Sequence, residues 1–489
     1  MKKLVNILII SLLLVSCTTK QQKDLVILSV NDMHSHIENM PKLAYIADSL
    51  RNIYPELLIV SAGDNRTGSA YNDKYPEHPN FPMINLMNEI GFEVSALGNH
   101  EFDDNIDGIR YFIDNANFPI ICANADFSAY PDIDIPPYVT ITKKINGQDV
   151  KIILLGMIET SNEGRPSAHV KNLKDMKFTP AKDVIEDYLY LRDSCDVFIL
   201  LSHCGVAEEY KFAQKYPQFD LIIGGHSHDL CNEQYSDGVL YTQAKYYLKR
   251  AMVTKLNIEN GEIKNKKAYI INLENRTKVN KNIQKEVDKY YAEPEFHKVI
   301  GHAATPFNDQ NALGAFMADA QRYATKTDIA MQNPGGVRLD NMHGGDITKA
   351  DIYNLDPFNN SLVITEMTGE QVEDFLGIAS TKDGYLTHVS GITYTITHFT
   401  STNGDDYFGA AEAFIDGQPI DKNKVYTVTI NSYMASSWAK DHCISIRDSD
   451  ISANDAEFLY LEDNKIVDYQ GVKRFECEEI HEFIYDYQE

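Results

Sequence analysis

The chain carries seven short apolar runs, at 25–30, 57–61, 94–97, 119–122, 150–157, 197–202 and 221–223, and they do not alternate apolar with polar residues. Continuous Val/Ile/Leu runs of this length are what strands need when both of their faces are covered. Amphipathic segments at 42–51, 83–90, 106–115 and 181–192 fall between the runs and predict helices. Strand alternating with helix predicts a layered α/β domain over residues 24–275. Two alternating strands at 251–258 and 264–273, joined by the turn Glu259-Asn260-Gly261, close it. Residues 280–295 are charged and helix-forming without a strong apolar face. They predict a helical linker over 276–297, the other reading being a last surface helix of the first domain. A smaller α+β domain follows over 298–489, with helices at 312–324 and from Gly369 to about 379. Its strands are expected at 328–332, 362–367, 392–396 and 425–430.

The apolar runs end in residues that carry chemistry. The first ends in Asn31-Asp32-Met33-His34, the second in Gly63-Asp64, and the third in Gly98-Asn99-His100-Glu101-Phe102-Asp103. The last two end in His203-Cys204-Gly205 and Gly224-Gly225-His226-Ser227-His228. The carboxyl ends of strands line the ligand crevice in α/β sheets, so the five turns describe one site. Asp32, His34, Asp64, Asn99, His203, His226 and His228 are seven candidate metal ligands, more than a single tetrahedral ion uses. They suit two divalent ions sharing one carboxylate, and a mixed N/O donor set suits Zn, Mn, Fe or Co. Such ions sit ~3.5–4 Å apart in sites that cleave phosphoesters. His100, with Asp103 three residues on, has the form of a catalytic imidazole and its orienting carboxylate. Asp and Asn are common after strands as turn residues, but turns do not require four histidines at these places. His36 reads as a supporting or solvated residue, and Cys204 and Cys231 as small core residues.

A formal net charge of −26 argues against a nucleic-acid polymer as the partner, because a phosphate backbone needs a basic footprint. It does not exclude a small anion, since bound cations reverse the local field. Lys2, Lys3 and the apolar stretch 4–15 form a signal segment ending in Ser16-Cys17, the pattern of a lipoprotein cleavage box. Residues 1–17 are thus read as a signal peptide with its lipidated Cys17, and 18–23 as a polar tether. The expected body is exported, lipid-anchored to a bacterial membrane, and faces the periplasm or the cell surface. No later segment has the ~18 apolar residues of a membrane span. The six remaining cysteines show no disulfide framework in their spacing.

With these motifs in place, the chain resembles the metallophosphoesterases, and specifically the 5′-nucleotidase family, over nearly its whole mature length. Beside the five strand-end motifs, Asn333-Pro334-Gly335-Gly336-Val337-Arg338 and Pro357-Phe358-Asn359-Asn360 resemble the family's substrate-binding segments. The resemblance implies a four-layer α/β/β/α metallophosphoesterase domain joined to a smaller α+β substrate-binding domain. It implies one ion on Asp32, His34, Asp64 and His228, and another on Asp64, Asn99, His203 and His226. His100, oriented by Asp103, would stabilise the phosphoryl transition state while a metal-bridging hydroxide attacks. In the second domain Asn333, Gly335 and Arg338 would contact substrate, Phe358 would stack on the base, and Asn360 would hydrogen-bond to it. Tyr433 fills the place of a second stacking aromatic, but Ala439 stands where the family has a ribose-binding Asp, with Asp441 nearby. Asn308-Asp309-Gln310 stands where the family has an Arg. Trp438 reads equally as platform or core. The implied activity is hydrolysis of nucleoside 5′-monophosphates, with domain rotation gating the cleft. The alternatives are a 2′,3′-cyclic nucleotide phosphodiesterase/3′-nucleotidase, a nucleotide-sugar diphosphatase or another phosphomonoesterase. From another class, the alternative is a non-catalytic surface lipoprotein that uses the same fold.

Overall fold

The computed structural model describes residues 24–161, 164–236, 238–259, 261–358, 360–383, 385–401, 406–439 and 442–483. The signal segment 1–17, its tether, Asn260 of the hairpin turn, Asn359 and Asp441 lie outside the described residues. The apolar runs are divided between two six-stranded sheets. One has the order Glu262–Asn272, Arg250–Glu259, Asp24–Val30, Leu58–Ser61, Val94–Ala96, Ile120–Ile121. The other runs Leu230–Ser236, Val239–Ala244, Leu221–Ile223, Val197–His203, Gln148–Ile158, Tyr138–Ile145. Successive residues of a strand point to opposite faces, and here each face meets a different layer. Leu25, Ile27, Leu58 and Val60 pack against Ile152, Leu154, Ile199 and Leu201 of the facing sheet. Val26, Leu28 and Ile59 instead meet the helices Met40–Arg51, Phe81–Ile90 and Asn105–Asn115. Ile153, Leu155, Phe198 and Leu200 meet the helical layer on the far side. This is the four-layer α/β/β/α arrangement, and it explains why the runs are continuous.

One segment differs from the sequence expectation. The helix expected over 181–192 is one α-turn, Ala181–Val184, continued by the 3₁₀ segment Ile185–Ser194. Its apolar residues Ile185, Tyr188 and Leu191 recur every third position, and a three-residue turn stacks them on one face. The segment read as a linker forms the helix Lys281–Tyr291, capped by the Asn280 side chain. Ile283, Val287 and Tyr290 make a narrow apolar stripe that packs into the first-domain helical layer.

The following α+β region holds the sheet His388–Ser390, Ile329–Gln332, Val425–Asn431, Ser361–Thr368, Ser445–Ser452, covered by the helices Gln310–Thr325 and Gly369–Asp383. Trp438 is buried in its core. It meets the first region where the Ala70 amide donates to Asn354 Oδ1 at 2.6 Å and Ala70, Phe296 and Ala350 share a small core.

One buried acid sets a pH dependence. Glu457, on the helix Ala453–Asn464, is wholly buried; that burial, and the charge of Asp356, push its carboxyl well above the ordinary range. The folded state therefore holds a proton that the unfolded chain releases. Its stabilisation is full below the unfolded value and is lost as pH rises through the folded one. Glu457→Gln, neutral at every pH, is expected to stabilise the fold at about pH 8 by on the order of 1 kcal/mol per pKa unit removed. Thermal unfolding at about pH 5 and about pH 8 checks this, and equal pH slopes in the two proteins contradict it.

Candidate functional site

The ligand-bearing turns adopt a backbone that most side chains avoid. Asp32 (φ 49°), His34 (47°), Asp64 (52°), His226 (76°) and His228 (60°) all lie in the left-handed region. Asp and His enter that region more readily than bulky residues, but it still costs free energy. Neighbouring turns hold each other there. The Asp32, His34 and Ser35 amides donate to the Gly63, Asp64 and Asn65 carbonyls, each at 3.0 Å. The Asn31 side chain accepts from the Ala244 amide and donates to the Lys245 carbonyl, both at 2.7 Å. Two glycines allow backbone to approach the polar cluster. A Cβ on Gly98 would lie 2.1 Å from Asp64 Oδ1, and one on Gly225 would lie 2.7 Å from His203 Nδ1.

The seven candidate ligands converge around Asp64. His203 Nε2 is 3.1 Å from Asp64 Oδ2, and His34 Nε2 is 3.8 Å from the same oxygen. His228 Nε2 stands 3.5 Å from Asp32 Oδ1 and 2.9 Å from His34 Nε2. His226 Nδ1 lies 3.0 Å from Asn99 Oδ1. Asp32, His34 and His228 form one group with metal-ligand spacing, and Asp64, His203 and His226 another. A third, His34, Asp64 and His100, overlaps both.

The chemistry of these donors fits bound cations. His34 and His203 each donate Nδ1–H to a backbone carbonyl, Thr67 at 2.9 Å and Ala62 at 2.7 Å, which turns both Nε2 atoms inward. His203 Nε2 is buried without a hydrogen-bond partner. Burial drives His34 well below the ordinary imidazole value and so keeps it neutral. Burial also pulls His203 down, but Asp64 and Asp32 overcome it and push the imidazole up to about 10. Burial works to raise Asp64, yet His203 and His100 hold it well below the carboxylate range. Inward Nε2 atoms facing anionic oxygens are a donor set that holds positive charge, a proton on His203 or a cation that displaces it.

His100 has a different setting. Its Nδ1 is 2.7 Å from Asp103 Oδ2, its amide donates to Asp64 Oδ1 at 2.9 Å, and its Nε2 stands 4.0 Å from Asp64 Oδ2. Burial lowers the ring's pKa, but Asp103 and Asp64 outweigh it and the net shift is upward. His36 turns to Glu38 at 2.8 Å and stacks on Tyr247.

A cavity of about 350 Å³ opens from His100 towards the second α+β region. Asn333, Gly335, Arg338, Phe358, Asn360 and Tyr433 all line it. Phe358 lies between the Arg338 guanidinium, 5.4 Å from its ring centre, and the His100 ring, 5.8 Å away. Arg338 Nε and Nη2 are buried without protein partners. Asn333 and Asn360 are partly committed: Asn333 Oδ1 accepts from Asn431 Nδ2 at 2.8 Å, and Asn360 Oδ1 from Ser432 Oγ at 3.1 Å. Tyr433 packs edge-on to Trp438.

Sequence reasoning missed the loop 165–172, which places Lys171 and Asn172 in the same cavity. Its Ser167 carbonyl accepts from Asn99 Nδ2 at 3.1 Å, and Asn172 Nδ2 donates to the Asp103 carbonyl at 2.9 Å. It also missed Asp73, whose carboxylate accepts from the amides of Thr67, Gly68 and Ser69 and from Ser35 Oγ. These residues belong to no motif or periodic pattern.

Comparison with known proteins agrees with this architecture. Residues 25–230 match the family model of calcineurin-like phosphoesterases, and residues 299–441 match that of the 5′-nucleotidase C-terminal domain. The chain is 26% identical over 487 residues to the protein UshA of Yersinia enterocolitica, covering 84% of this chain and 85% of that one. It is 28% identical over 463 residues to the endonuclease YhcR of Bacillus subtilis, covering 84% of this chain. The chain spans only 37% of the length of YhcR and 29% of another Bacillus subtilis relative, the trifunctional nucleotide phosphoesterase YfkN. The crystal structure of a 5′-nucleotidase precursor from Thermus thermophilus superposes with a TM-score of 0.79 at 21% identity, covering 93% of this chain and 99% of that one. At that identity the likeness concerns the fold.

Proposed function

We propose, from the premise that the chain belongs to the 5′-nucleotidase family of metallophosphoesterases, that it hydrolyses nucleoside 5′-monophosphates to nucleoside and phosphate. The observation that carries this reading is a cavity running from Asn99, His100 and Asp103, beside the Asp64 cluster, to Arg338, Phe358 and Tyr433. One end suits a phosphoryl group and the other a planar base. Two divalent ions, one on Asp32, His34, Asp64 and His228 and one on Asp64, Asn99, His203 and His226, would supply Lewis acidity to the phosphoryl oxygens. Asp103 favours the cationic form of His100, which offers Nε2 to charge that develops on the phosphoryl group. Arg338 presents its free Nε and Nη2 to phosphate. Phe358 and Tyr433 offer aromatic faces, and Phe358 also covers the catalytic corner. We further read the chain as exported and held to a membrane by a lipid on Cys17, on the strength of the 1–17 pattern.

Phosphate release from a nucleotide panel by residues 18–489 with added Mn²⁺ tests the activity. Nucleoside 5′-monophosphates are expected to turn over with the highest kcat/KM. Arg338→Ala should raise KM for them by about 10–100-fold, as loss of a charge-assisted contact does. Release from a general phosphate ester but not from nucleotides sinks the nucleotidase reading.

A further inference from the structure

Two buried carboxylates outside the predicted site each tie together two of the ligand-bearing turns. Glu101, 2% exposed, takes four N–H donors. Its Oε1 accepts from the Asn65 amide at 2.8 Å and Asn65 Nδ2 at 3.1 Å. Its Oε2 accepts from the Asp64 amide at 3.0 Å and the Gly98 amide at 2.6 Å. Glu209, wholly buried, joins the other pair of turns. Its Oε1 accepts from the Cys204 amide at 3.0 Å and the Gly225 amide at 3.4 Å, and its Oε2 from the Tyr241 hydroxyl at 2.8 Å. Cys204 follows His203, and Gly225 precedes His226.

The two clamps differ in what they demand chemically. Every group facing Glu101 is a nitrogen donor, and both oxygens are used by backbone amides. An amide at position 101 would turn NH₂ towards two N–H groups and leave them buried without an acceptor. Glu209 faces backbone donors on one oxygen only. The Tyr241 hydroxyl on the other is 3.0 Å from Gln243 Oε1, so it can turn its proton there and accept from an amide at 209. The turns that Glu101 joins have no slack. A Cβ on Gly63 would lie 2.6 Å from the Gly98 nitrogen, so backbone packs directly on backbone. The placement of Asp64 relative to Asn99 and His100 then depends on the carboxylate bonded to both turns.

We propose that Glu101 is the positioning residue of the metal centre and acts only as a carboxylate, whereas the Glu209 clamp tolerates an amide. The inference rests on the metal-centre reading of Asp64 and its neighbours. The test compares Glu101→Gln, Glu209→Gln and wild-type full-length protein for Mn²⁺ affinity, by chelator competition well below each unfolding midpoint. Glu101→Gln is expected to bind Mn²⁺ about 10–100-fold more weakly, with Glu209→Gln close to wild type. A purely structural contribution would lower both unfolding midpoints and leave Mn²⁺ affinity in place. Wild-type affinity in Glu101→Gln, or an equal loss in Glu209→Gln, overturns the proposal. A wild-type protein that binds no Mn²⁺ overturns the metal reading itself, and this inference with it. Should Glu101→Gln not fold, hydrogen exchange on the wild type decides: the Asp64, Asn65 and Gly98 amides must lose protection together, and separate opening overturns the clamp.

Discussion

Asp64→Ala is expected to reduce kcat/KM for phosphate release by about 10⁴-fold or more, the scale seen when one member of a catalytic unit is removed. The carboxylate is the point that three of the imidazoles face. His203, His34 and His100 present Nε2 to its Oδ2 at 3.1, 3.8 and 4.0 Å, and the His100 amide holds its Oδ1 at 2.9 Å. Without it, the buried His34 and His203 and the part-buried His100 keep Asp32 as the remaining nearby anion, and Asn99, His203 and His226 would be left without a shared carboxylate. Asp64→Asn separates charge from volume. It fills the same space, yet its amide carries no charge and must turn either NH₂ or oxygen to His203. It should lose metal content nearly as fully as Asp64→Ala. Steady-state kinetics, metal analysis of the purified variants and circular dichroism for the fold check this together. A folded Asp64→Ala protein with more than about a tenth of wild-type activity contradicts the central role given to Asp64.

How much of this site could be read from sequence follows from how each residue works. Asp32, Asp64, Asn99, His203 and His226 were legible as a cluster because a buried strand leaves an apolar run, and a polar residue at its end stands out against it. The four-layer fold was legible for a related reason: Leu25 and Val26 serve different layers, so neither could be polar. Glu101 was visible within its motif, but its task was not. Accepting four N–H groups from residues 64, 65 and 98 leaves no periodic trace. Glu209 sits on the helix Val206–Lys215 beside Glu208, and sequence alone does not say which of the two turns inward. The left-handed conformations of Lys245, Tyr247 and Leu248 were equally hidden, because their neighbours in space, not their own preferences, hold them there. The edge strand Ser445–Ser452 is largely exposed and polar, so it lacked the apolar signal that marked its neighbours.

His100→Ala is expected to lower kcat by about 10²–10³-fold, the usual loss for one transition-state donor, with KM and metal content little changed. The ring is held at 2.7 Å by Asp103, and that bond orients it and favours its cationic form. Burial opposes the charge, but Asp103 and Asp64 prevail, so the proton is retained above the ordinary imidazole range. Activity carried by the cation is therefore full at low pH and falls as pH rises through this elevated value. Asp103→Asn removes the strongest of the raising influences and should move the basic limb of the kcat profile to lower pH, which pH–rate measurements read directly. In His100→Ala that limb should vanish and the residual rate should lose its dependence on Asp103. The same ring also lies within ligand spacing of His34 and Asp64, so metal analysis separates the two roles available to it. Retained metal with reduced kcat assigns His100 to the phosphoryl group, and an equal loss of metal and activity assigns it to the ions.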